Sequence, residues 1–275
     1  MATDSACDEM TRLAWSGGVP TPSSRLVAQE AAIALTYNGS TFAVMMASPS
    51  DLRDFGIGFT ITEGIAERAE ELRGIDLIES DLGVEIRMWL DEERIGSVHA
   101  RRRAIMGPVG CGLCGIESLE QACPVPLQVA SEARYCAHGL RGAVRELAPL
   151  PRLNHKTRAV HAAAFFHPST GVGWIREDVG RHNALDKLAG ALMQKDVPRG
   201  GGAVLLTSRV SVEMVQKTAR IGVPVLIAVS APTTLAIRTA HQAGITLIAV
   251  ARDDGYEIFT HPDRLVFLGS DLVAA

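Results

Sequence analysis

The chain is predicted to be an α/β protein, with a layered α/β domain toward the C-terminus and a small α+β domain before it. Three observations carry that reading. From about residue 158, short apolar runs at 203–207, 223–229 and 246–251 alternate with amphipathic segments near 212–220 and 233–243, as interior strands joined by helices do. Nearer the N-terminus, residues 31–37 and 41–46 flank Asn38-Gly39, a strong two-residue hairpin signal. Residues 84–90 alternate, with Val84, Ile86, Met88 and Leu90 against Glu85, Arg87 and Trp89, which suits a half-buried strand.

Taken in chain order, residues 1–24 contain Gly17, Gly18, Pro20, Pro22 and Ser23 and no period, so they read as a loose arm with order beginning near Leu26. The small α+β domain is expected over 25–105. Within it, Ser48, Pro49 and Asp51 resemble a capped helix start. That helix carries Leu52, Phe55, Phe59 and Ile61 and stops near Glu63-Gly64. The α/β domain is expected over 106–275. Residues 134–147 read as helical and are stopped by Pro149 and Pro151. A strand over 159–166, a turn at 168–171, a strand reaching Ile175 and a helix over 183–193 follow. Helices packed on a sheet are the expected product.

Composition removes several functional classes. With 27 basic and 31 acidic residues the formal charge is only -4, so neither nucleic acid nor a membrane surface is an expected partner. The first twenty residues carry Asp4, Asp8 and Glu9 and no basic flank before an apolar run, so no secretory leader is expected. The uncharged stretch between Arg220 and Arg238 is interrupted by Pro224, Ser230, Pro232, Thr233 and Thr234, which suits strand, turn and helix rather than a membrane span. Five cysteines, at 7, 111, 114, 123 and 136, are odd in number and irregular in spacing. That is a poor disulfide framework, and a cytoplasmic location is expected.

The chemistry-bearing segment that stands out is Gly110-Cys111-Gly112-Leu113-Cys114-Gly115. A Cys-x-x-Cys pair is half of a zinc site, a redox dithiol or a sulfur relay. For zinc, Cys111, Cys114, Cys123 and Cys136 supply four thiols, but the last two stand alone rather than as a second close pair. A deaminase-type zinc centre would need a His-x-Glu partner, and none occurs. A thioredoxin-like dithiol needs the pair to open a helix, which Gly112 and Gly115 disfavour. Both thiols could also be small buried hydrophobes. A relay thiol has to swing between donor and acceptor, and glycine hinges allow that. Arg101, Arg102 and Arg103 upstream would favour thiolate and attract an anionic acceptor, or are a solvated charge run.

A second cluster spans Glu177 to Lys187. Gly180, Arg181, His182 and Asn183 precede or open a helix, where backbone N–H groups favour phosphate, and Asp186 and Lys187 suit recognition of a base or sugar. An ordinary capped loop is the plain alternative. Three further loops leave strand ends: Thr207 to Ser211 with Ser208 and Arg209, Ala231 to Thr234 with Thr233, and Arg252, Asp253, Asp254 and Gly255. Ligands gather at such an edge of an open sheet, and surface turns are the alternative. His161 sits beside Ala162, Ala163 and Ala164, small residues that admit a large ligand or surround a core histidine.

In order, Met45–Pro49, Gly58–Gly64, Cys111–Gly115, His161–Ala164, Glu177–Lys187, Ser208–Lys217 and Ala231–Thr234 resemble the FdhD family of formate dehydrogenase accessory sulfurtransferases, from about residue 25 to the C-terminus. The resemblance implies a cytoplasmic homodimer with a cytidine-deaminase-like α/β domain. It implies that sulfur is taken as persulfide from a cysteine desulfurase and passed to the molybdenum (or tungsten) bis(molybdopterin guanine dinucleotide) cofactor before that enters the formate dehydrogenase apoenzyme. It puts the catalytic thiol at Cys111, an assisting thiol at Cys114, and a cofactor-contacting segment at Val250, Ala251, Arg252, Asp253, Asp254 and Gly255. Guanine nucleotides are then expected to mimic the cofactor. This chain departs from the pattern in having no glycine between Ser208 and Arg209 and in its acidic turn at Asp253-Asp254. A cofactor-binding chaperone without a catalytic thiol and a zinc module are the other classes to weigh.

Overall fold

The computed structural model describes residues 6–91, 93, 94, 96 and 125–267. The boundary expected at 105/106 lies outside them. Among the described residues the α/β class is observed, as a six-stranded mixed sheet with helices on both faces and a separate four-stranded sheet before it.

The four-stranded sheet has the order β4-β3-β6-β5, built from β3 (Ala31–Tyr37), β4 (Ser40–Ala47), β5 (Leu72–Ser80) and β6 (Gly83–Leu90). Asn38-Gly39 makes the expected β3–β4 turn, both residues having positive φ. β5 is a strand that alternation did not mark, because Leu77 and Ile78 are adjacent apolar residues and both are exposed. One face of this sheet lies against α1 (Leu52–Thr62). Ile33, Leu35, Ile86 and Met88 meet Phe55 and Phe59 there, and Phe42 packs edge-to-face on Tyr37 and Phe59.

The large sheet has the order β13-β12-β11-β10-β8-β9. Its strands are β8 (His161–His167), β9 (Gly171–Asp178), β10 (Ala203–Leu206), β11 (Val225–Ala228), β12 (Thr246–Ala249) and β13 (Glu257–Ile258). β10, β11 and β12 are parallel, and β8 runs antiparallel to β10. Side chains alternate between two cores. Val204 and Leu206 face the helices α4 (Arg181–Gln194), α5 (Val212–Ile221) and α6 (Thr234–Ala243), whereas Ala203 and Leu205 face α2 (Ala137–Leu147). Both faces being covered explains why these strands read as continuous apolar runs. A short α3 (Arg152–Thr157) and the strand pair β7 (Tyr135–Cys136) and β14 (Leu265–Val266) complete the domain. Among the described residues no helix is long and apolar enough to cross a membrane.

Two expectations are corrected. Residues 7–28 are not a structureless arm but a hairpin, β1 (Cys7–Ser16) against β2 (Val19–Ala28), turning at Gly17-Gly18 with positive φ at both. Pro20 and Pro22 are tolerated because each strand has a free edge. The hairpin is largely exposed and is tied at its base, where Arg25 Nη2 donates to the Thr157 carbonyl (2.8 Å). Ser48 does not cap α1, whose N-cap is Asp51 in a left-handed conformation (φ 51°) without a side-chain cap bond. Ser48 is bonded instead to the distant segment 178–187 described below.

Candidate functional site

The topology collects most of the sequence-predicted residues on one edge. β10, β11 and β12 end there, so the loops after Leu206, Ala228 and Ala249 share it. β8 begins there and β9 ends there, which puts His161 opposite Asp178. From β8 to β12 the edge spans roughly 14 Å at the usual strand spacing. The loops are laced together. Val210 N donates to Ala231 O (3.2 Å), Thr233 N to Val210 O (3.0 Å), Val250 N to Ser230 O (3.2 Å) and Ala251 N to Ala228 O (3.1 Å). Thr207 clamps the start of β8, its Oγ1 accepting from Ala162 N (2.8 Å).

The 177–187 segment divides into a buried scaffold and two presented side chains. Asp178 is fully buried and accepts from Lys187 Nζ (2.6 Å), Ser48 N (3.0 Å), Gly180 N (2.7 Å) and Asn183 Nδ2 (3.0 Å). A Cβ at Gly180 would lie 2.8 Å from Asn183 Nδ2, so the turn has no room for a side chain. Lys187 also donates to the Ser48 carbonyl (2.9 Å), and Asn183 Nδ2 to the Met46 carbonyl (3.0 Å). Burial pulls the pKa of Lys187 below its ordinary value, and Asp178 only partly restores it. Glu177 accepts from the Leu153 and Asn154 amides (2.9 and 2.7 Å) and so holds the start of α3.

Asp186 forms a second buried node, accepting from Thr62 Oγ1 (2.5 Å) and Lys217 Nζ (2.9 Å), while Lys217 also reaches Glu63 (2.8 Å). Burial alone would lower the pKa of Lys217; Asp186 and Glu63 outweigh it and raise it. Between the two nodes α1 and α4 touch backbone to backbone. A Cβ on Gly58 would lie 1.6 Å from Asp186 O, and one on Gly190 1.9 Å from Asp54 O. Asn183, Asp186 and Lys187, expected as ligand contacts, therefore lie inside the junction with residues 46–63, and their polar atoms are occupied.

Arg181 and His182 remain at the edge. Burial, then the neighbouring Arg181 and Arg209, lower the pKa of His161 and favour its neutral form. Arg209 is exposed, whereas Ser208 is buried with its hydroxyl on the Arg209 carbonyl (3.1 Å). Thr233 Oγ1 caps α6 by accepting from Ala236 N (3.2 Å). In the last loop Val250 has positive φ (52°), Ala251 is buried, and Arg252 is exposed and donates to the carbonyls of Ala251 (2.8 Å) and Val229. Asp253 and Asp254 are exposed, and the Asp253 carbonyl accepts from Arg145 (2.7 Å). The edge thus offers guanidinium groups, a neutral imidazole and the N-termini of α4, α5 and α6, which suits a phosphate-bearing ligand.

Ser211 ends the loop expected at the edge, whereas Glu213 and Gln216 carry no site role in the sequence pattern. Burial raises the Glu213 carboxyl, but His182, Ser211 and a backbone N–H outweigh it and bring it from 4.5 down to about 2. The available signal was the (i, i+3) spacing of Glu213 and Gln216 on the polar stripe of α5. Cys111, Cys114, Cys123 and Arg101–Arg103 lie outside the described residues. Among those described, no group of three or more His, Cys, Asp or Glu could hold a metal ion.

Comparison with known proteins agrees with the ordered motifs. The chain is 48% identical over 268 residues to the sulfur carrier protein FdhD of Agrobacterium fabrum, covering 97% of this chain and 98% of that one. It is 51% identical over 245 residues to the protein of that name from Brucella abortus, covering 89% and 91%. A crystal structure assigned as a formate dehydrogenase accessory protein from Desulfotalea psychrophila superposes with a TM-score of 0.73 at 25% identity, covering 95% of this chain and all of that one. The model of the FdhD/NarQ family matches residues 28–266, and the chain belongs to that family.

Proposed function

We propose that this protein is a cytoplasmic sulfurtransferase that carries sulfur as a persulfide on Cys111 and delivers it to the molybdenum bis(molybdopterin guanine dinucleotide) cofactor of a formate dehydrogenase. The observation that carries the proposal is the gathering of three guanidinium groups on the sheet edge. Arg181, Arg209 and Arg252 surround helix N-termini in a protein whose relatives are named sulfur carriers. Such an edge fits the diphosphates of a bound dinucleotide, which here is the substrate and not a resident cofactor.

The chemistry begins when the Cys111 thiolate attacks the terminal sulfur of a cysteine desulfurase persulfide. The sulfur–sulfur bond of the donor breaks, the desulfurase thiolate leaves, and Cys111 holds the new persulfide. Thiolate is the reactive form, so positive charge nearby speeds loading. Delivery breaks the sulfur–sulfur bond of the Cys111 persulfide: the outer sulfane sulfur would take two electrons from the acceptor's reduced metal and become sulfide, and the Cys111 thiolate is returned. The edge residues bind and orient, His161 accepts or donates a hydrogen bond as the neutral imidazole, and the 46–63 junction keeps the scaffold rigid. Cys114 assists or protects Cys111, and the working unit is a homodimer.

Intact-mass measurement after incubation with a cysteine desulfurase and cysteine tests the loading step. Wild type should gain the mass of one sulfur, mapped to Cys111, and Cys111→Ala should gain none there. Absence of added sulfur on Cys111 in wild type would leave a binding chaperone as the better reading, and stoichiometric zinc by elemental analysis would favour a zinc module.

A further inference from the structure

Five polar atoms near the α4 and α5 N-termini are buried and have no hydrogen-bond partner among the described residues: Arg181 Nε, His182 Nε2, Ser211 Oγ, Glu213 Oε2 and Gln216 Nε2. Buried polar groups are ordinarily paired, and one left unpaired costs about 1–3 kcal/mol. Together they are a set of donors and acceptors that a bound polar ligand would satisfy. His182 Nε2 is 3.9 Å from Glu213 Oε2, too far for a hydrogen bond. Ser211 stands at the N-cap of α5 and yet makes no side-chain cap bond.

The donors and acceptors are arranged in order along the helix. Glu213 offers its carboxylate through Oε2, and Gln216, one turn later on the same face, has an amide N–H group with no partner among the described residues. A carboxylate and an amide N–H one helical turn apart have the chemistry to complement a ring edge that presents an amino group, a ring N–H and a carbonyl in a row. That edge is the 2-amino-4-oxopyrimidine, shared by guanine and pterin. Adenine has no such edge, because an amino group replaces its carbonyl. Arg181 and the helix N-termini beside it are placed to take the attached phosphates.

The geometry points to Glu213 and Gln216 as the specificity residues of the sheet edge, reading the 2-amino-4-oxopyrimidine ring of the ligand through its amino, N–H and carbonyl groups. This inference rests on the nucleotide-binding reading above and adds to it the residues that select the base.

Titration calorimetry of the full chain with GDP, IDP, ADP and free pterin tests it. IDP keeps the ring N–H and carbonyl but lacks the amino group. Wild type should bind GDP about tenfold or more tighter than IDP, and ADP weakest. Glu213→Gln should bring GDP and IDP level, and Gln216→Leu should weaken both alike because both carry the carbonyl. Thermal melts of each variant separate these effects from misfolding. Pterin that displaces GDP places both rings on the same edge. Pterin that binds without displacing GDP, and only while Glu213 is intact, makes the pterin its occupant. GDP binding that ignores both substitutions would overturn the specificity assignment and leave the edge as a phosphate site. No binding of GDP or pterin to wild type would overturn the nucleotide reading as well.

Discussion

The buried junction and the sheet edge share one stretch of chain, residues 177–187, and treat their polar groups in opposite ways. In the junction, Asp178 accepts four hydrogen bonds and Asp186 is held by Thr62 and Lys217. A few residues away, Arg181, His182 and their neighbours on α5 have buried atoms with no partner among the described residues. A satisfied buried network rigidifies and specifies a packing, whereas an unsatisfied one costs stability unless a ligand completes it. The densest polar motif of this sequence is therefore mainly framework, and it presents two side chains, Arg181 and His182, at the edge.

Substitutions in the two regions should therefore separate stability from binding. The largest effect is expected at the helix crossing. Gly58→Ala or Gly190→Ala forces a Cβ into a backbone carbonyl, and a loss of about 3 kcal/mol or more, or no folded protein, should appear in urea denaturation. Next, Lys187→Met leaves Asp178 buried without its cation and should cost about 3–5 kcal/mol. At the edge the pattern inverts: Arg181→Ala should change stability by under about 1 kcal/mol while weakening GDP tenfold or more by calorimetry. Equal stability losses at Lys187 and Arg181 would erase the comparison.

Two pH effects sharpen it. Glu213 is lower in the folded protein than in the unfolded chain, so its contribution is present above pH 4.5 and lost as pH falls toward about 2. That contribution should be missing from the acid limb of Glu213→Gln in urea titrations. The smallest effect concerns His161, whose pKa is lowered by burial, Arg181 and Arg209. GDP bound between those guanidinium groups should raise it, visible as a shift of its imidazole titration by NMR. A fall, or no change, would place the phosphates elsewhere.

What the sequence made legible follows from the range of the interactions. The Asn38-Gly39 hairpin and the interior strands are set by neighbours in the chain, and they were readable. The common edge of the loops was readable too, because parallel strands bring their ends together. The Gly17-Gly18 hairpin was hidden by Pro20 and Pro22, which break the local strand pattern without blocking a two-stranded ribbon. Asp186 and Lys187 looked like ligand contacts because their partners Ser48, Thr62 and Lys217 stand far away in sequence. Glu213 and Gln216 were overlooked for a different reason: an (i, i+3) polar pair on a helix is ordinary until its atoms are found buried and unpaired.

Radiolabelled sulfur follows the passage from Cys111 to the cofactor step by step. Cysteine carrying the label would be supplied to a desulfurase, this protein, the free cofactor and the formate dehydrogenase apoenzyme, and the label followed. The account predicts label first on Cys111 and then on the cofactor, with dehydrogenase activity rising in step and none of this with Cys111→Ala. Labelled cofactor and active dehydrogenase formed in the presence of Cys111→Ala would contradict it.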